Sequence, residues 1–198
     1  QLVANTSRKH FVLAGESVSM NGYKSYSASD SIRRFQWLFT DGARARGPEV
    51  TRTYSRPGVY SEVLKVTDKA GNIDYDFANV HVLDPANPDL YVPRIHAAYW
   101  PTRDNKTDEL ITFKVRSFGT TEGEEVWDFG DGSPLVKVKS DGNVDPQADN
   151  GYAITTHAYT KPGDYLVKVQ RARSDGVAAV FHLHVHVVRA GTQAATTN

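Results

Sequence analysis

The sequence predicts an all-β protein built as two tandem β-sandwiches, and two observations carry that reading. Short stretches such as VLKVTD, FKVRSF, YLVKVQ and FHLHVHVV alternate in polarity and are rich in β-branched and aromatic side chains, the period-two signature of half-buried strands. The chain also repeats itself. WLFTDG at Trp37 to Gly42 returns ninety residues later as WDFGDG at Trp127 to Gly132, and TYSRPGVY at Thr53 to Tyr60 returns 105 residues later as AYTKPGDY at Ala158 to Tyr165. A turn signal that recurs at fixed spacing points to a recurring fold unit. Clusters of Gly, Pro, Asn and Asp separate the strand-like runs, and no useful length of sequence carries a helical period.

The elements follow in order. Copy one runs from residue 1 to 86 and copy two from 87 to 198, with the boundary near Asn87. The join is LDPANPDLYVP, Leu83 to Pro93, whose three Pro predict a fairly stiff, extended connector. The change of offset from ninety to 105 requires a fifteen-residue insertion in copy two. SDGNVDPQADNG, Ser140 to Gly151, is polar and full of turn formers, so it reads as that insertion and as an exposed loop. Beyond it the later offset holds to the end: Gly71 pairs with Gly176, and FANVHV (Phe77 to Val82) with HLHVHV (His182 to Val187). Each copy is roughly 85 to 105 residues, the size of one immunoglobulin-like sandwich.

Composition narrows the function classes. The 198 residues hold 23 basic and 23 acidic side chains and no Cys. Zero net charge argues against nucleic acid or an anionic membrane as electrostatic partner. Lack of Cys removes disulfides, zinc–thiolate sites and Cys nucleophiles. No apolar run approaches the roughly twenty residues of a spanning helix, so no membrane insertion is expected. The chain opens on Gln1 without a signal-like segment, which reads as a processed or excised piece of a longer protein.

The repeated motifs have physical work to do. Trp37 and Trp127 begin strands whose large rings can fill a sandwich centre. Asp41-Gly42 and Gly130-Asp131-Gly132 supply tight turns that tolerate positive φ, with the Asp carboxylates free to accept backbone N–H bonds. Pro57-Gly58 and Pro162-Gly163 are turn dipeptides followed two residues later by Tyr60 and Tyr165. A Tyr there, bonded back to the chain, is the tyrosine-corner device of sandwiches.

WDFGDG followed by HAYTKPGDYLVKV resembles the PKD (polycystic kidney disease) domain family. Copy two carries the motif in Trp127, Asp128, Gly130, Asp131, Gly132, His157, Tyr159, Pro162, Gly163 and Tyr165. Copy one keeps Trp37, Asp41, Gly42, Tyr54, Pro57, Gly58 and Tyr60, with Leu38 and Thr40 where the family tends to have Asp and Gly. The resemblance implies two immunoglobulin-like (PKD-type) β-sandwiches in a secreted or cell-surface bacterial protein. It implies an accessory role, without catalysis, often beside enzymes that degrade polysaccharide or protein. The expected partners are therefore a polysaccharide or another extracellular protein, and the catalytic domain of the same parent chain. The alternative is an adhesion or protein–protein interaction module. Function rests on sites and not on folds.

Candidate sites follow from parity and residue type. In IHAAYWP, Ile95 to Pro101, inward Ile95, Ala97 and Tyr99 leave His96, Ala98 and Trp100 pointing outward. An exposed Trp100 could stack on a sugar ring or insert into a partner, or it could instead pack under a neighbouring loop or in the interdomain contact. Tyr23 and Tyr26 are second-rank ligand candidates. No cofactor is expected, with calcium left open: it wants several oxygen ligands, and some members of the resembled family hold it near early inter-strand loops. Here those loops offer Asn21, Ser29 and Asp30, then Asp104, Asn105 and Asp108, against the plainer reading of ordinary turn chemistry. His182, His184 and His186 share one face at about 6.8 Å spacing; the expectation is a solvated outer face and not a metal site. No G-x-S-x-G, H-E-x-x-H or phosphate loop is present. Glu124 and Glu125 read as solvated loop residues. Asp128 and Asp131 could suggest a glycosidase pair, but they sit in a structural turn. Glu62 and Arg171 fall where alternation calls for inward apolar residues.

Overall fold

A computed structural model describes residues 1–6, 9–28, 31–148 and 150–191. Among them there is no helix. The first half supplies β1 (Leu2–Val3), β2 (His10–Leu13), β3 (Ser17–Asn21), β4 (Tyr26–Ser27), β5 (Ile32–Leu38), β6 (Arg44–Arg46), β7 (Glu49–Thr53), β8 (Gly58–Asp68) and β9 (Ile73–Leu83). The second supplies β10 (Arg94–Trp100), β11 (Asn105–Lys106), β12 (Ile111–Phe118), β13 (Glu125–Asp128), β14 (Val136–Val138), β15 (Ala153–His157), β16 (Gly163–Ala172) and β17 (Ala178–Val188).

The two halves repeat one topology. Strands run β2-β9-β8-β5-β6 in the larger sheet of the first sandwich and β11-β17-β16-β13-β14 in that of the second. The opposing sheets are β3-β7 and β10-β12-β15. One apolar cluster fills each interior, around Trp37, Met20, Leu64 and Val80 in the first and Trp127, Phe113, Phe129 and Val169 in the second. Both indoles are almost wholly buried. The corner tyrosines bond back as that device requires: Tyr60 Oη donates to the Arg56 carbonyl at 2.9 Å and Tyr165 Oη to the Lys161 carbonyl at 2.7 Å.

The divergent motif of the first sandwich has a structural reason. Gly130 has φ of 77°, and a Cβ there would lie 2.6 Å from the Leu166 carbonyl oxygen. The matching residue, Thr40, instead donates its backbone N–H (2.6 Å) and hydroxyl (3.0 Å) to Glu62. Tyr54 Oη also donates to Glu62, at 2.8 Å. Glu62 is buried and stands where the second sandwich has Val167. Burial pushes its carboxyl pKa up, against the pull of these hydrogen bonds. A hydrogen-bonded polar pair, Thr40 and Glu62, stands where the second sandwich has Gly130 and Val167.

Arg171 and Glu125 form the matching irregularity in the second sandwich. Both side chains are completely buried and meet at 2.7 Å. Glu125 also accepts from the Ser117 hydroxyl (2.6 Å), the Ser140 hydroxyl (2.5 Å) and the Ser140 N–H (2.9 Å). Burial pushes the Glu125 pKa up, but these donors and the Arg171 charge outweigh it and hold it down. The expectation of a solvated Glu125 is thus corrected: it starts a strand, and its partner lies 46 residues away. Glu124 is exposed as expected.

The two large sheets are continuous. β5 covers β8 from Val63 to Asp68, and the start of β17 takes the remaining edge in parallel, Ala178 beside Gly58 and Ala179 beside Val59. The result is one ten-stranded sheet, sealed by a small apolar cluster of Val59, Val92 and Ala179. Its outer faces meet. Phe77 stacks on His182 at 5.9 Å and Tyr75 packs on His184 at 4.8 Å. This corrects the expected solvated histidine face: the parity is right, but His182 is buried beneath the first sandwich and only His186 is largely exposed. The Leu83–Pro93 connector is also not extended. Asp84 and Asn87 bridge to each other, and Leu90 N–H closes a turn on the Asn87 carbonyl.

Three outcomes are expected. Arg171→Met leaves a buried carboxylate without its cation and should cost about 3–5 kcal/mol in denaturant unfolding. Gly130→Ala and Gly132→Ala both force a side chain into positive φ, at about 1 kcal/mol or more, but only Gly130 meets backbone. Gly130→Ala should therefore lower the thermal midpoint clearly more than Gly132→Ala. Burial, then the charge of Lys168, pushes the His182 pKa from 6.5 down to about 4. The unfolded or undocked chain takes up a proton below about pH 6.5 that the docked form refuses until about pH 4. Docking should hold above pH 6.5 and weaken as pH falls toward 4, by on the order of 3 kcal/mol. Calorimetry at pH 7 and 4.5 should show a drop that His182→Gln reduces.

Candidate functional site

The strongest candidate is the outer face of the β10-β12-β15 sheet. β10 is an edge strand, and its parity is set by what it buries: Ala97 enters the core and Ile95 and Tyr99 pack against it, with Tyr99 Oη donating to the His184 carbonyl at 2.8 Å. Arg94, His96, Ala98 and Trp100 therefore face outward. Trp100 is 72% exposed, an uncommon state for an indole. Register places it beside Thr112, which in turn faces Thr156, while Ala98 lies beside Lys114 and Lys114 beside Ile154. Ile154 is also exposed, as is Leu110 just before β12.

The Ser140–Gly151 insertion shapes one end of this face. Arg116 leaves β12 outward and is clamped by Asp141 in two parallel bonds, at 2.9 and 2.6 Å, and by the Asp145 carbonyl at 2.7 Å. The chain that leaves the loop delivers Tyr152 to the face. Its hydroxyl lies 2.9 Å from His96 Nδ1, with the Lys114 ammonium 5.0 Å from its ring centre. Tyr152, Ile154 and Lys114 were not among the sequence candidates. The alternation Tyr152-Ile154-Thr156 carried the signal, but the adjoining insertion hid its register. The corresponding sheet of the first sandwich is different: outward Ser17, Ser19, Glu49 and Thr53 bond among themselves.

The other candidates are placed as follows. Tyr23 and Tyr26 are exposed but belong to the first sandwich, Tyr23 donating to Glu49 at 3.1 Å. Ser29 and Asp30 lie outside the described residues. Asp104 and Asp108 take positive φ, of 58° and 66°, in the turns that flank β11, and the Asn105 side chain between them donates to the His186 carbonyl. Among the described residues no group of three or more His, Cys, Asp or Glu could hold a metal ion. Asp164 Oδ1 lies 2.8 Å from His184 Nε2 and 2.9 Å from His186 Nδ1. Asp128 accepts the Gly130 N–H and Asp131 the Ser133 N–H, both at 3.0 Å. Asp131 further meets His157 at 2.8 Å, and His157 stacks flat on Phe129 at 4.1 Å. These two carboxylates tie the turn together. Asp41 does likewise, accepting the Ala43 N–H and pairing with Arg52 at 2.6 Å. Tyr159 is buried with its hydroxyl on the Phe129 carbonyl.

Comparison with known families fits this architecture. Two sequence profiles, each described as PKD domain, match residues 3–82 and 105–187. The chain belongs to the PKD-domain family. Its two PKD domains stand in tandem, each an immunoglobulin-like β-sandwich. The collagenase ColA of Clostridium perfringens is 27% identical over 73 residues, which are 37% of this chain and 7% of the collagenase. The chain thus spans a small fraction of that relative's length. Among solved structures, the PKD1 domain of Vibrio anguillarum Epp shares 28% identity, covering 42% of this chain and 95% of that domain, with a TM-score of 0.37. The PKD1 domain of the Vibrio cholerae metalloprotease PrtV also shares 28%, covering 41% and 95%, with a TM-score of 0.36. The assignment rests on the two profile matches.

Proposed function

We propose that the chain is a non-catalytic accessory module of a larger secreted or cell-surface protein, one that acts on polysaccharide, and that it both spaces the catalytic part and touches glycan. The observation that carries glycan contact is Trp100, held out on a rigid strand beside a flat, partly aromatic face. A large exposed ring on regular structure is an affordable anchor, because little conformational freedom is lost when a ligand covers it. The spacer role draws support from the continuous ten-stranded sheet, which limits bending at the domain junction. We place that junction at residues 86 and 87. Relatives named as a collagenase and a metalloprotease support a parent that is an enzyme, and an extracellular or cell-surface location goes with it. Among the described residues no helix is long and apolar enough to cross a membrane.

The second reading is an adhesion or protein-interaction module. Leu110 and Ile154, both exposed near Trp100, favour it, since they add aliphatic surface of the kind that protein partners cover.

Affinity electrophoresis against a panel of soluble polysaccharides separates the two. Retardation by a glycan, weakened at least about tenfold in Trp100→Ala, is the expected result. No retardation by any glycan, or retardation that Trp100→Ala leaves intact, overturns the Trp100 reading and favours the protein-partner one.

A further inference from the structure

The row of outward residues on β10 does not stop at the Trp100 face. It runs back through His96 to Arg94 at the junction of the two domains. There a groove of about 370 Å³ opens between the sandwiches. Lys9, His81, Arg94 and His96 line it together with Asn79 and Phe181, and no carboxylate lines it. Phe11, exposed, stacks on His81 at 4.7 Å.

The groove gathers two cations, Lys9 and Arg94, and no carboxylate lines it to offset them. The chain has zero net charge, and Arg52, Arg116, Arg171 and Arg173 each meet an acidic partner. Lys9 and Arg94 are exposed and form no ion pair among the described residues. The Arg94 guanidinium is held by Tyr91, whose hydroxyl accepts its Nε–H at 2.6 Å and whose ring centre lies 4.7 Å away, and Arg94 lines the groove. His81 reports the local field. Burial, followed by the charges of Lys9 and Arg94, pushes its pKa down. Two unpaired cations beside a low-dielectric wall form a site for an anionic group.

We propose that this groove binds the carboxylates of an acidic polysaccharide, a uronate-bearing chain that lies along β10 with further sugar rings reaching Trp100. The proposal rests on the glycan-contact reading above and names the class of glycan. Arg94 and Trp100 are six residues apart on one strand, about 20 Å, and both point outward. A linear polymer with a carboxylate at one position and an apolar ring face further on satisfies both ends, and a single small anion satisfies only one.

The test uses this chain in affinity electrophoresis at low and at moderate salt. The probes are polygalacturonate, its fully methyl-esterified form, a panel of neutral polysaccharides, and polyglutamate as a charge-matched polymer without sugar. Polygalacturonate should retard the protein more than its ester or polyglutamate. Lys9→Gln/Arg94→Gln should weaken that binding at least tenfold and reduce its salt dependence, without moving any neutral-glycan retardation. Arg94→Lys, which keeps the charge but loses the Nε bond to Tyr91, should retain more of the binding than Arg94→Gln and less than the unaltered chain, and an unchanged thermal midpoint checks each variant's fold. Equal retardation by polygalacturonate and its ester, equal retardation by polyglutamate, or indifference to the double variant overturns the proposal. Neutral-glycan binding that depends on Trp100 but not on the cations leaves the Trp100 reading standing alone. Polygalacturonate binding that survives Trp100→Ala keeps the groove and removes that reading. Retardation by no polymer removes both.

Discussion

Burial of one indole at the centre of each sandwich is the constraint from which the repeated sequence follows. Truncating such a ring costs about 3–5 kcal/mol, a large fraction of the roughly 5–15 kcal/mol that holds a domain together. A Trp at that site fixes the strand that carries it, and the chain must then turn sharply to leave the core. In the second sandwich Gly130 makes the turn by coming against the Leu166 carbonyl, which leaves Val167 free to fill the interior beside Trp127. In the first, Thr40 occupies the same point, and its donors need an acceptor. Glu62 supplies one, at the cost of a buried carboxyl group whose pKa burial raises. The departures from the family motif at Thr40 and at Glu62 are one change seen twice.

The second constraint is the meeting of the outer faces. A sandwich in isolation would leave Tyr75, Phe77, Val59 and Val63 of the first domain facing water. Covering them with β17 removes apolar surface and aligns the two large sheets. It also explains why a strand with three alternating histidines is tolerated: His182 stacks on Phe77 and His184 packs tilted on Tyr75, and His182 donates a hydrogen bond to the Ser61 backbone. Since β10 belongs to the second sandwich and Lys9 and His81 to the first, only this docking brings the junction groove together. Its charge pattern is a property of the pair of domains.

Local period made part of this legible in the sequence. Trp37, Trp127, Tyr60 and Tyr165 are placed by turn spacing, and the outward parity of His96, Ala98 and Trp100 follows from the apolar residues between them. What one strand meets across another was not legible. Glu125 looked solvated because Arg171 is far off in sequence, and His182 looked exposed because alternation identifies a face without saying what covers it. The outward placement of Tyr152 and Ile154 is not legible, because a strand next to an insertion has no register until its partner is known. The Pro content of the connector predicts an extended chain, whereas turns closed on the Asp84 and Asn87 carbonyls enclose Pro85 and Pro88.

The asymmetry between the two domains follows from these points. Both place a small sheet opposite the Trp strand, and both leave its outer face to solvent. In the first domain, outward Ser, Thr and Glu residues on β3 and β7 satisfy one another, so the face offers a ligand little to gain. In the second, three outward positions hold Trp100, Ile154 and Lys114, and the insertion, clamped through Arg116 and Asp141, adds Tyr152. Nothing in the sandwich itself requires those side chains: outward positions contribute little to the core, so most residues would serve there. A large aromatic ring kept in water is unfavourable for the isolated fold and gains only when something covers it. The same reasoning applies to Lys9 and Arg94, two cations brought together across a domain junction without a carboxylate to offset them. Both features lie along one strand edge, and that shared line is the physical reason to look for one extended ligand in place of two separate ones.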